Sequence, residues 1–302
     1  METDIRIEAI ERAIRADGGR NVGPLVRHAV GDLAAAADSI ATAQQASVVI
    51  LTGLYIPWAA VPAAETDGPP GAVLLAAGLL ELGMPVRLLT DHRCNPVVRA
   101  AGRESAPDVP IDVCEGDPVE VARLLDGYKK LRVTHLVAVE RAGPAVDGVV
   151  RNFRGEDMTP FTARFDRLLG AEQPWTTIAI GDRGNELGMG NVPATEVAAG
   201  IEHGDRIHCV VRCDHLVVAG ISNWGALGLL VAVGMLTGMR GKAAAAYASP
   251  EYHRRAVAAC LEAGAVDGTL GRSVASIDGL ALREHGAVIE RIQAACEDED
   301  MR

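Results

Sequence analysis

A mainly parallel α/β fold, with helices on both faces of the sheet in a Rossmann-like three-layer sandwich, is what this sequence predicts. Three observations predict it. Short β-branched runs closed by Gly or by charge alternate with helical stretches along the chain, the pattern of strand–helix–strand units. Hydrophobic residues make up 49% of the 302 but aromatics only 3%, so the core must be built from Ala, Val, Leu and Ile, as in strands buried on both faces. The Gly- and charge-rich loops follow strands rather than helices, and in open α/β sheets the carboxyl ends of the strands line the ligand crevice.

In chain order, residues 3–17 carry Ile5, Ile7, Ile10 and Ile14 at helical spacing before Gly18-Gly19, and a second helix is expected from Leu25 to Gln45. Ser47 to Gly53 reads as the first core strand. A Pro-rich loop from Leu54 to Gly71 leads into an apolar helix, Ala72 to Leu82. Strands follow at 85–90, at 111–113 as an edge, and at 134–139, with helices at 95–102 and 118–131. A helix is expected from Pro160 to Leu169, then the strand Thr177 to Ile180, a short helix from Val192 to Gly200 and a strand from His208 to Arg212. Leu216 to Met239 carries no charge and has the length of a membrane span. Its opening LVVAG run and the break at Ser222-Asn223-Trp224-Gly225 read instead as a buried strand followed by a buried helix. An amphipathic helix from Pro250 to Ala263 and a final one from Leu280 to Cys296, with a frayed acidic tail, complete the chain. No linker is visible, so a single domain over 1–302 is expected, with 1–45 as N-terminal helices packed on it and 242–302 as a C-terminal helical part.

Composition narrows the function. The net charge of −11, spread along the chain, opposes nucleic-acid binding, which needs a clustered basic face. The first residues have no apolar core of a signal peptide, which points to the cytoplasm, to no membrane and to reduced cysteines. Cys209 and Cys213 lie near His208 and His215, but no second ligand pair stands at zinc-finger spacing. Neither GxxxxGK[ST] nor GxGxxG nor GxSxG occurs, which removes the usual marks of P-loop, dinucleotide and acyl-enzyme sites. An Ala-rich helix is available for a homodimer interface.

The loops offer carboxylates, amides and Arg. Thr176–Asn191 sets Asp182, Arg183, Asn185 and Glu186 among four glycines. Glu65 and Asp67 precede Gly68 and Gly71 at a Pro-initiated helix start, a natural anion cradle, although Asp67 alone is explained equally well as a helix cap. Glu140–Asp157 carries Arg141, Asp147, Arg151 and Asn152. Arg suits bidentate carboxylate recognition, or the two arginines pair with Asp147 and Glu156 inside the loop. Converging carboxylates can act as acid and base or hold a divalent cation, for which Glu65, Asp67 and Asp182 are the candidates. Either use suits a small polar substrate.

Four blocks together, ETDGPPGA at Glu65–Ala72, ERAGPAVDGVVRNFRGED at Glu140–Asp157, IGDRGNELGMGNV at Ile180–Val192 and AGISNWGA at Ala219–Ala226, resemble the D-glutamate cyclase family, specifically its C-terminal domain, in a stand-alone version. The resemblance implies an α/β fold and a lyase that converts D-glutamate to 5-oxo-D-proline with loss of water. That chemistry needs a base, an acid and an oxyanion contact. We assign Glu186 or Asp182 as base, Glu65 or Asp67 as acid, and Asn185 or Asn223 at the oxyanion. Arg141 or Arg151 is assigned to the α-carboxylate, while Asp147, Asn152, Asn191, Gly68 and Gly71 supply further substrate contacts. The alternatives are a binding module for an amino acid or nucleotide, without turnover, and an NAD-dependent oxidoreductase.

Overall fold

The computed structural model describes residues 2–19 and 21–296. Six strands form one sheet: β1 Val48–Thr52, β2 Val86–Thr90, β3 Ile111–Val113, β4 His135–Val139, β5 Thr176–Gly181 and β6 His215–Val218. Their order is β3-β2-β1-β4-β5-β6, and every pairing is parallel. β1 lies in register with β4 from Val48 opposite His135 to Thr52 opposite Val139. The order reverses between these two central strands, and their carboxyl ends mark the switch point where ligands bind in open α/β sheets.

Side-chain alternation divides the core into two faces. Val48, Ile50, Val137, Val139, Ile178 and Ile180 pack on one side, against α1 Glu2–Ile14, α2 Asp32–Thr42, α3 Pro69–Glu81, α4 Asn95–Ser105 and later helices. Val49, Leu51, Leu136, Ala138 and Ala179 pack on the other, against α5 Pro118–Lys130 and the irregular segments after β4 and β5. Helices thus flank both faces, as the strand–helix alternation predicts.

α3 and α6 Ser222–Leu236 explain the apolar stretches. Pro69 to Leu79 and Ser222 to Gly234 are buried throughout, because the two helices lie side by side with α7 Pro250–Glu262 and α8 Leu282–Ala294 packed outside them. A helix apolar all round is a buried helix. Among the described residues no helix is long and apolar enough to cross a membrane. The uncharged segment from Leu216 is the buried strand β6 and the buried helix α6.

Three local expectations differ. The N-terminal region expected as one helix over 25–45 is a short turn of helix at Gly23–Val26 and then α2. Pro160 to Leu169 is two 3-10 turns, Thr159–Phe161 and Asp166–Leu169, rather than one helix. His208 to Arg212 is not a strand of the sheet. Its backbone bonds go to loops, Cys209 N to Gly184 O and Val210 N to Pro144 O, so its alternation reflects packing under a loop. The long loop after β1 holds a small antiparallel ribbon, Tyr55–Ile56 with Ala63–Ala64. All six cysteines are free thiols. The acidic tail beyond residue 296 lies outside the described residues.

Candidate active site

The polar loops meet at the carboxyl ends of β1, β4, β5 and β6. Glu140 directly follows β4 with φ of +47°, a conformation that costs energy for a residue with a Cβ and is tolerated where the surroundings enforce it. Its side chain turns toward α3 and α6, where the Ser222 hydroxyl donates to Glu140 Oε2 at 2.5 Å. Gly68, at φ +92°, makes this possible: a Cβ there would stand 2.8 Å from Glu140 Cβ and 2.9 Å from Thr52 Oγ1. Asp182 directly follows β5 and is buried. Asp67, Glu140 and Asp182 each bring a carboxylate oxygen to within 4.8 Å of the other two.

Asp67 is held by α6. Its Oδ2 accepts from Ser222 N at 2.9 Å, and its Oδ1 accepts from Asn223 N at 2.9 Å and from Gly68 N at 3.0 Å. Asn223 returns the service to α3: its Oδ1 accepts from Gly71 N at 2.7 Å and from Gly68 N at 3.1 Å, while its Nδ2 donates to Thr66 O at 3.1 Å. Each helix start is capped by a side chain that precedes or opens the other. The anion cradle expected at Gly68 and Gly71 is therefore filled from within the protein, and Asn223 is occupied in capping.

Glu186 and Asp182 divide differently from the sequence reading, which treats them as interchangeable bases. The Glu186 carboxylate folds back onto its own loop and accepts from the backbone N–H groups of Asp182 at 2.9 Å, Arg183 at 2.7 Å and Gly184 at 2.7 Å. Asp182 instead faces Glu140 and Asp67. Burial, then the negative charges of Asp182, Glu186, Asp67 and Glu65, push the Glu140 carboxyl well above its ordinary value. Burial and Asp182 likewise raise Glu186 to about 7, against the pull of the amide donors. So many buried carboxyls cannot all be ionised together without protons or cations to offset them.

A narrow cleft, with a cavity volume of about 20 Å³, opens above this cluster. Glu65, Glu140 and Asp182 form its acidic floor, Asn152, Asn185 and Arg183 one wall, and Gly268 and Asp278 another. Leu54, Ile56, Trp58 and Phe153 complete the lining. Glu65 is fixed from the far wall, since a Cβ on Gly268 would collide with its carboxylate. Asp267 builds that wall by accepting from Thr269 N, Leu270 N, Ser276 Oγ and Gly279 N. In the sequence Asp267-Gly268 and Asp278-Gly279 are ordinary turn pairs; the turn that Asp267 folds faces the cleft.

The remaining assigned residues lie elsewhere. Arg141 is fully buried on the opposite side of the sheet ends, donating to Asp91 Oδ2 and Gly53 O at 2.6 Å and to Ala163 O at 2.8 Å, with its guanidinium 5.0 Å over the Phe165 ring. These contacts tie the ends of β1, β2 and β4 together and leave it no approach to the cleft. Arg151 pairs with the half-exposed Asp147 at 2.6 Å, the intra-loop alternative. Asn191 holds the Cys213 backbone through both ends of its amide. Glu140, placed at the centre, was visible in the sequence only as the first polar residue after an apolar strand.

With this geometry in place, the comparison with known proteins is specific. The family model for the D-glutamate cyclase-like C-terminal domain matches residues 10–293. The chain belongs to the D-glutamate cyclase-like family. It is 37% identical over 245 residues, 76% of this chain, to the human protein D-glutamate cyclase, mitochondrial, and the match covers 39% of that relative. The chain thus spans well under half of the relative's length. All four blocks that carry the resemblance to the cyclase-like family fall inside the matched range, and the residues of the acidic cluster, Asp67, Glu140 and Asp182, come from three of them.

Proposed function

We propose that this protein is a lyase that cyclises D-glutamate to 5-oxo-D-proline with release of water. The observation that carries the reading is the buried cluster of Asp67, Glu140 and Asp182 at the sheet's switch point, of which Glu140 and Asp182 line a cleft together with Glu65, in a chain of the cyclase-like family. Cyclisation joins the α-nitrogen to the side-chain carboxyl carbon and breaks a C–O bond. Of the three ammonium hydrogens, one stays on the lactam nitrogen and two leave with the oxygen as water.

The ammonium brings positive charge to an acidic floor and offsets its repulsion. Asp182, which faces Glu140 and Asp67, takes one ammonium proton, the freed amine attacks, and its second proton passes to the departing oxygen. Glu140, kept neutral by burial and by its acidic neighbours, donates its proton to the departing oxygen, so that one site supplies both base and acid. Asn152 and Asn185 each commit one N–H of the side-chain amide, to Glu156 Oε2 and Arg151 O, and have a second for the developing oxyanion. Glu65 stays as a further floor carboxylate. The acid role thus moves from Glu65 or Asp67 to Glu140.

The same three carboxylates also suit a divalent cation, for which hard oxygen donors are the right ligands. Asp67, Glu140 and Asp182 would hold it, with Glu140 in the place the sequence gives to Glu65. When bound, it would supply Lewis-acid polarisation of the side-chain carboxyl. A dinucleotide is disfavoured although the strand order is that of dinucleotide-binding folds, because an acidic floor repels a pyrophosphate.

The test is incubation of purified protein with D- and L-glutamate, with chelator or with added Mg²⁺ or Mn²⁺, and chiral chromatography of the product. Release of 5-oxo-D-proline is expected, and Glu140→Gln should lower kcat by about 10²- to 10⁴-fold. No 5-oxoproline under any of these conditions would leave a binding module as the better reading.

A further inference from the structure

We infer that Ser222 is a positioning residue for the reaction: its hydroxyl holds the Glu140 carboxyl by one oxygen and so turns the other toward the cleft; this rests on the cyclase reading above. Ser222 is fully buried and opens α6. It holds two of the three clustered carboxylates with two different donors. Its backbone N–H donates to Asp67 Oδ2 at 2.9 Å, and its hydroxyl donates to Glu140 Oε2 at 2.5 Å.

A serine hydroxyl has one hydrogen to give, and here it goes to Glu140 Oε2. The other oxygen, Oε1, is the one left to the cleft that Glu140 lines. With Oε2 occupied as an acceptor, a neutral carboxyl carries its proton on Oε1, on the substrate side. Neither end of the contact is free to drift. α6 is buried from Ser222 to Gly234 and pressed onto β5, where a Cβ on Gly225 would stand 2.5 Å from Ile180 Cγ2. At the other end the backbone of Glu140 is fixed, with φ of +47° and its N–H donating to Ile180 O at 3.1 Å. What the backbone leaves open is rotation of the carboxyl about the last bond of the side chain, a broad torsion in glutamate. The Ser222 hydroxyl closes it. Proton transfer needs its donor atom within hydrogen-bond reach of the substrate, so this contact serves rate rather than affinity.

The test compares the wild type with Ser222→Ala and Ser222→Thr. The alanine variant keeps the backbone N–H that holds Asp67 and loses only the hydroxyl, whereas the threonine variant keeps both donors. Ser222→Ala should lower kcat for D-glutamate by about 10- to 100-fold, the worth of one strong hydrogen bond expressed as rate, and leave KM unchanged. Ser222→Thr should restore most of the loss. Crystal structures of the wild type and Ser222→Ala, which need no turnover, should show the Glu140 carboxyl rotated away from α6 in the variant. A Ser222→Ala enzyme with the kcat of the wild type would overturn the assignment, and so would a Glu140 carboxyl that keeps its place in the variant crystals. If the wild type itself releases no 5-oxoproline, the cyclase reading fails, and the crystal comparison still decides whether Ser222 holds Glu140.

Discussion

Asp182 and Glu186 stand four residues apart on one loop and have opposite jobs. Three backbone N–H groups converge on Glu186, which makes its carboxylate the internal scaffold that aims Asp182 at the floor and Arg183 at the wall. A glutamine in its place offers one acceptor oxygen and sets an NH₂ against an N–H donor, which leaves buried amides unsatisfied. Glu186→Gln should therefore cost about 1–3 kcal/mol of stability, read as a fall in Tm. Asp182→Asn should abolish turnover without lowering Tm, because it removes a charge from a repelling cluster. If both substitutions lowered Tm alike, the division between scaffold and base would be wrong. This distinction was beyond the sequence, where the two carboxylates differ only by position; what separates them is the direction of a loop whose amides select one of them.

At the scale of elements, the site depends on two helix starts that cap each other across more than 150 residues of chain. Removing the Asn223 amide uncovers Gly71 N and leaves Gly68 N to Asp67 Oδ1 alone, and Asn223→Ala should cost about 1–2 kcal/mol, as loss of a helix cap does. Asp67→Ala should add less in the Asn223→Ala background than alone, since residues in one hydrogen-bond network are not additive; strict additivity in chemical denaturation would refute reciprocal capping. Apolar runs made the sheet legible: β3 begins and ends where the sequence places it, and β1, β2, β4 and β5 lie within a residue or two. The Gly-rich blocks likewise marked which strand ends converge. Arg141 could not be placed, because an arginine suited to a substrate carboxylate is equally suited to Asp91. The cleft wall at Gly268 and Asp278 was hidden by ordinary turn composition. The alternation at 208–212 misled because its backbone partners are loops, which periodicity cannot identify.

For the whole molecule, buried titratable groups set opposing pH slopes. Burial lowers His135 to about 4 and His253 to about 3, the latter also facing His285. Below the ordinary histidine value, near 6.5, the unfolded chain takes up these protons and the folded one does not, so stability falls as pH drops through that window. Glu140 and Glu186 act the other way. Their folded values lie above the ordinary carboxyl range, Glu186 at about 7 and Glu140 raised well above it, so the folded state retains protons that the unfolded chain has released. Stability is lost as pH rises through those folded values. Between about pH 4.5 and 6.5 the two trends offset each other; above that window only the carboxyls act. In the presence of chelator, Tm should therefore pass through a maximum on the acid side of neutrality and decline toward pH 8.5. Glu140→Gln, which removes one of the two protons at stake, should flatten the decline, and so should a saturating divalent cation, which supplies the missing charge. Melting curves at fixed ionic strength decide the matter: a decline above pH 7 that is equally steep in wild type and Glu140→Gln would show that the buried cluster is not where the folded protein holds its extra proton.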